Sequence, residues 1–133
     1  MKAAKDDYEQ GQLFDVRQLI EAEVFDDFLD QAEHLYGAGY YQAAAVIAGC
    51  VLEDGIRKTC GREGIDLPEK PKLDKMNADL AKAGVYSKLV QKQITALADL
   101  RNKAAHGEWE QFSTADVEDM LQKVRRFMED HFA

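Results

Sequence analysis

The stretch that decides the fold is Ser87–Gly107, SKLVQKQITALADLRNKAAHG. Val90, Ile94, Leu97 and Leu100 or Ala104 recur at three- and four-residue spacing, the interval that lines up side chains on one face of an α-helix. Good helix formers fill the positions between them, and Gly107 supplies the stop. A helix with one apolar face must bury it, and no alternating strand pattern elsewhere in the chain offers a sheet, so the partners have to be other helices.

Those helices can be read on both sides. Downstream, Ser113 can cap a final helix, Asp116 stands where a capping box needs an acceptor, and Phe112 can pack on Val117 as a hydrophobic staple. Val117, Met120, Leu121, Val124, Phe127, Met128 and Phe132 form its core face. Upstream, Leu73, Met76, Leu80 and Ala83 mark a short helix ended by Gly84, preceded by a loop that Gly64, Pro68 and Pro71 keep irregular from Gly61 to Lys72. A helix over Tyr40–Cys60 opens with Ala43, Ala44, Ala45 and Ala48, small enough to let neighbours approach, and is expected at the centre. The first helix runs from Leu13 to Tyr36 with Val16, Leu19, Ile20, Val24, Phe28, Ala32 and Leu35 as its face, before Gly37 and Gly39. The expectation is an all-α, up-and-down bundle of four to five helices, with residues 1–12 a polar N-terminus and 13–133 the helical domain.

Composition narrows the functional classes. The chain has 133 residues, enough for one domain with its own core, and a net charge of −8, which argues against a broad nucleic-acid surface built on excess Lys and Arg. Three local basic clusters remain: Arg57, Lys58 and Arg62; Arg101 and Lys103; Lys123, Arg125 and Arg126. Taken singly, each reads as solvated helix surface. Cys50 and Cys60 have no nearby histidines, so neither a metal site nor a disulfide framework is indicated. The polar start lacks the apolar core of a signal peptide, and Ala43–Leu52 is too short to cross a bilayer. The expected location is the cytoplasm.

Chemistry gathers at Arg101-Asn102-Lys103-Ala104-Ala105-His106. Five positions on a helix correspond to about 140° of rotation and roughly 7.5 Å of rise, so Arg101 and His106 do not share a face. Two copies across a two-fold axis could surround one phosphodiester, each giving a guanidinium for the anion and an imidazole for a proton. The alternative is plain: a cationic imidazole suits the carbonyl end of any helix, and Arg101 could be ordinary surface.

The pattern Arg-Asn-x-x-x-His-Gly, closing a long helix ahead of a short loop and a capped final helix, resembles the HEPN superfamily, whose members carry Arg-x4-6-His in this part of a helical bundle. It is most similar to small bacterial HEPN proteins reading Arg-Asn-x-Ala-Ala-His-Gly, and the likeness extends from about Val24 to Phe132. The resemblance implies a homodimer with the two motifs meeting at its interface, and a metal-independent endoribonuclease without cofactor, acting as a toxin or in phage defence. His106 would be the acid or base at a ribose 2′-hydroxyl, Arg101 would stabilise the phosphate in the transition state, and Asn102 would orient one of them or bind RNA.

Lys103, Glu53 and Trp109 are further candidates for substrate contact. Glu53 interrupts an apolar stretch where many family members hold a polar residue facing the motif, although Glu53–Arg57 and Asp54–Lys58 also read as exposed i to i+4 pairs. Trp109 could stack on a base or cover the bundle end. His34 and His131 have no evident partners. Relatives silenced by a nucleotidyltransferase antitoxin often carry a tyrosine two positions after the histidine; Glu108 stands there, against that route, and Glu108 and Glu110 put negative charge beside the RNA site. A catalytically silent HEPN module binding a partner protein or nucleotide is therefore the alternative.

Overall fold

The computed structural model describes residues 21–132, with the side chains of 21–131. The polar N-terminus, the expected start of the first helix at Leu13 and the side chain of Phe132 lie outside the described residues. Five helices succeed one another: α1 over residues 21–37, α2 Tyr41–Arg62, α3 Leu73–Lys82, α4 Lys88–Ala105 and α5 Thr114–Phe132, with a single 3-10 turn at Trp109–Gln111 between the last two. There is no strand among the described residues.

Helix α2 is the axis of the bundle, packing against α3, α4 and α5. Ala44, Ala45, Ala48 and Gly49 are buried along its first half, where short side chains let neighbouring helices come close. Leu52 and Ile56 continue the buried face into a core completed by Leu29 of α1, Met76 and Leu80 of α3, Ile94 of α4, and Val117, Met120 and Val124 of α5.

The end of α4 and the start of α5 fix the path of the chain beyond the motif. Gly107 has φ +70, and beside it the Glu108 N–H donates to the Lys103 carbonyl at 2.9 Å and the Gly107 N–H to the Ala104 carbonyl at 3.2 Å. This Schellman arrangement stops α4 within one residue of His106. Helix α5 begins with the capping box: the Ser113 N–H donates to Asp116 Oδ2 at 2.9 Å and the Asp116 N–H to Ser113 Oγ at 3.3 Å, with Phe112 and Val117 both buried.

Helix α1 is turned slightly from its expected face, with Ala32 and Leu35 on the core as expected. Phe25, Leu29 and Ala32 are buried, whereas Val24 and Phe28 are 42% and 45% exposed. Two apolar stripes lie side by side on this helix, and the one carrying Phe25 and Leu29 takes the core, with carboxylates on the next flank turned toward α5. Arg125 of α5 holds Asp30 at 2.8 Å, Glu33 at 3.1 Å and Asp26 at 3.8 Å, and turning α1 by one residue would carry these carboxylates away. Arg125 is thus a strut between helices rather than solvated surface, and Lys58, which reaches Glu21 of α1 at 3.3 Å, plays the same part.

A buried polar network joins α3 to α4. Asn77, 1% exposed, donates through Nδ2 to the Gln91 carbonyl at 3.0 Å and to Thr95 Oγ1 at 3.1 Å, while its Oδ1 accepts from the Tyr86 hydroxyl at 2.6 Å. Every polar atom of the Asn77 side chain is satisfied, so burying it carries little penalty.

His131 has partners that the sequence did not suggest. Its ring lies 4.4 Å from that of Phe127 and 6.0 Å from that of Tyr86, and its carbonyl accepts from Arg62 Nη1 at 3.0 Å. Burial pushes the imidazole below its ordinary value, opposed by Asp130 and assisted by Arg62. The folded chain therefore prefers the neutral ring, and the unfolded chain takes up the proton first as pH falls. This contribution to stability is complete above the ordinary value of 6.5 and is lost as pH falls from there through the lowered value of the folded chain. Urea unfolding of the wild type should weaken across that range, and His131→Phe should flatten the dependence; an identical pH profile in the variant would contradict the assignment.

Candidate functional site

Arg101 emerges from α4 on the side that faces α2, and what it meets there is an absence. A Cβ on Gly49 would lie 2.5 Å from Arg101 Cγ and 3.1 Å from its Cβ, the first far inside the closest approach of carbons not joined through bonds. The arginine stem therefore crosses α2 over bare backbone. Glycine within a helix costs about 1 kcal/mol relative to alanine, so its presence here needs a packing reason, and this close crossing supplies one.

One turn beyond Gly49, on the same flank of α2, Glu53 receives the guanidinium. Arg101 Nη2 and Glu53 Oε2 are 2.6 Å apart, with the two side chains 29% and 18% exposed. The other Glu53 oxygen accepts from Arg57 Nη2 at 3.1 Å, and Arg57 Nη1 donates to Asp54 Oδ1 at 3.2 Å. Arg101 Nη1 donates to Asn102 Oδ1 at 3.2 Å. The i to i+4 pair read from the sequence exists, and Glu53 faces the motif as well.

His106 is the C-cap of α4. Its backbone N–H donates to the Asn102 carbonyl at 3.0 Å, and the residue is exposed. No hydrogen bond or ion pair joins its imidazole to Arg101. The guanidinium is thus anchored inward against α2 while the imidazole stands at the outer end of α4, as a separation of five helical positions dictates.

The remaining candidates are dispersed. Lys103 pairs with Asp99 at 2.9 Å and lines a polar cleft of about 220 Å³ between α4 and α5 together with Asp116, Asp119 and Lys123, so it is not brought to Arg101. Trp109, 41% exposed, meets Phe112 edge to face at 6.1 Å and lies beside Gly107, forming with Glu108, Glu110 and Gln111 an open groove directly after His106. Chemically, the inner half of the motif is an oriented guanidinium with N–H groups left for an anion, and the outer half is an accessible imidazole able to move protons.

Sequence reasoning missed Gly49. The available signal was a glycine inside the helix, one of three there, four residues ahead of the acid that faces the motif. A substitution pair tests its role. Gly61, also within α2, has nothing within 4 Å of an added Cβ, so Gly61→Ala should be neutral or mildly stabilising. Gly49→Ala should instead destabilise by about 1–3 kcal/mol through overpacking against Arg101. Equal gains in urea midpoint for both variants would show that the crossing is not tight.

Among the described residues, no helix is long and apolar enough to cross a membrane, and no group of three or more His, Cys, Asp or Glu side chains could hold a metal ion. No curated protein and no solved structure matches the chain. A family model, the HEPN domain, matches residues 26–131, a span running from α1 to the last turn of α5 and including Glu53, Arg101 and His106. The chain belongs to the HEPN family.

Proposed function

We propose that this chain is a metal-independent endoribonuclease that acts as a homodimer, with one RNA-cleaving site assembled from the motifs of both copies. The observation that carries the reading is the pre-oriented guanidinium of Arg101, fixed by Glu53 and Asn102 at the end of the helix that presents His106. Holding a charged donor in place before the reaction is how a protein stabilises charge that develops in a transition state. In this reading His106 removes the proton from a ribose 2′-hydroxyl, the 2′-oxygen attacks phosphorus, and the bond from phosphorus to the 5′-oxygen breaks. The leaving 5′-oxygen takes a proton from water, the imidazolium of His106 returns its own to solvent, and a 2′,3′-cyclic phosphate remains. Arg101 carries the added negative charge, and Asn102 and Glu53 position it. Such an activity fits a toxin or a phage-defence protein.

One observation favours a second reading, a catalytically silent module that binds a partner protein or nucleotide. Glu53 neutralises the guanidinium that a phosphate would need, and Glu108 and Glu110 add carboxylates beside His106.

Incubation with mixed RNA in EDTA separates the two. The nuclease reading predicts cleavage that survives chelation, leaves cyclic phosphate ends, and falls on the order of 10² to 10⁴-fold in His106→Ala, with an unchanged urea midpoint because the residue is exposed. Arg101→Ala should abolish it too. Cleavage unaltered by either substitution would sink the assignment, and no cleavage by the wild type would favour the silent module.

A further inference from the structure

Six large apolar side chains stand out into solvent among the described residues, and three of them, Val24, Phe28 and Val46, belong to the face formed by α1 and α2. An open groove of about 440 Å³ runs between these helices, walled by Phe28, Val46, Ile47 and Cys50 and ending at Glu53, Asp54 and Arg57. Of the other three, Tyr40 is the N-cap of α2 and does not line the groove, while Leu89 and Trp109 lie on α4 and the 3-10 turn.

We propose that this α1/α2 face is the surface on which a second copy of the chain docks, which deepens the composite-site reading and rests on it. Three features select a second copy as the occupant. The first is continuity: Glu53 both closes the groove and holds Arg101, so a body seated in the groove touches the acid that orients the guanidinium. The second is self-complementarity, which a two-fold interface requires because the same patch serves both sides. Val46, Cys50 and Asp54 recur at four-residue steps along α2 with Arg57 one turn further, so the ridge is apolar at one end and carries both charge signs at the other. Asp54 and Arg57 are 44% and 42% exposed, and a two-fold axis across the ridge lets each meet its opposite on the second copy. The third is the exclusion of RNA from the groove itself, whose walls are apolar and whose end carries two carboxylates.

Cys50 gives this face its own probe. It is exposed in the groove, whereas Cys60, the only other cysteine in the sequence, is buried. The full chain is measured by light scattering and by maleimide labelling of Cys50 across a concentration series. The expected result is a dimer that Phe28→Lys and Val46→Glu each convert to a helical monomer, while Leu89→Lys on α4 leaves it intact. Labelling of Cys50 should be about tenfold faster in the Phe28→Lys monomer, the ratio expected when roughly one wild-type chain in ten is monomeric.

A dimer that survives both groove substitutions and labels at an unchanged rate overturns the proposed face, and continued RNA cleavage by that dimer would leave the composite site standing. A wild-type monomer at all concentrations overturns both, as does slow labelling independent of concentration, which would mean that the chain covers the groove itself. A dimer broken by Phe28→Lys but unable to cut RNA upholds the face and removes the nuclease reading.

Discussion

The contact on which the site depends is the crossing of α4 over α2 at Gly49. Removing one side chain from α2 lets the Arg101 stem lie against backbone, and the next turn of α2 then presents Glu53 at the right distance to take the guanidinium. Both residues ride on helices whose opposite faces are buried in the same core, through Leu52 and Ile56 on α2 and Ile94 and Leu97 on α4. The position of the charge pair is therefore set by apolar packing over a large area rather than by the pair itself. An ion pair of this exposure contributes little to stability alone, but one held by the core is already oriented when an anion arrives.

Charge elsewhere is arranged to hold helices together. Arg125 ties α5 to α1, Lys58 ties α2 to α1, and Lys103 and Lys123 each pair within their own helix. With these cations engaged and a net charge of −8, the described surface offers no broad attraction to a polyanion. RNA recognition would have to be local, at the ends of two α4 helices. This is also why the proposed reading calls on two chains: the guanidinium faces inward to α2, the imidazole stands on a Schellman stop at the helix end, and no hydrogen bond joins them.

Much of this was legible in the sequence because it obeys local rules. The capping box at Ser113 and Asp116, the stop at Gly107, the apolar line of α4 and the small residues of α2 were all readable from spacing and residue type. The rotation of α1 was not. Its two adjacent apolar stripes satisfy helical periodicity equally well, and which of them packs is set by the shape of the core and by flanking contacts such as Arg125, more than ninety residues away in the chain. Glu53 could be placed beside Arg57 by its spacing, but its second bond, to Arg101, needs the crossing geometry that Gly49 permits. Lys103, a candidate for substrate contact two positions after Arg101, is turned by the helix to another face, where Asp99 holds it. His131 gained aromatic partners for the same reason: Tyr86 belongs to the turn before α4, which sequence spacing does not bring near the end of α5.

The central claim, that guanidinium and imidazole from different copies act on one phosphodiester, is tested most directly by mixing subunits. Arg101→Ala and His106→Ala chains are each purified, shown to be inactive on RNA, and then allowed to exchange. If the site is shared, the mixed dimer retains one guanidinium and one imidazole in the same cleft and regains measurable cleavage. If the mixture stays as silent as its parents while exchange is demonstrated, each chain must carry its own complete site or none, and the shared cleft is contradicted.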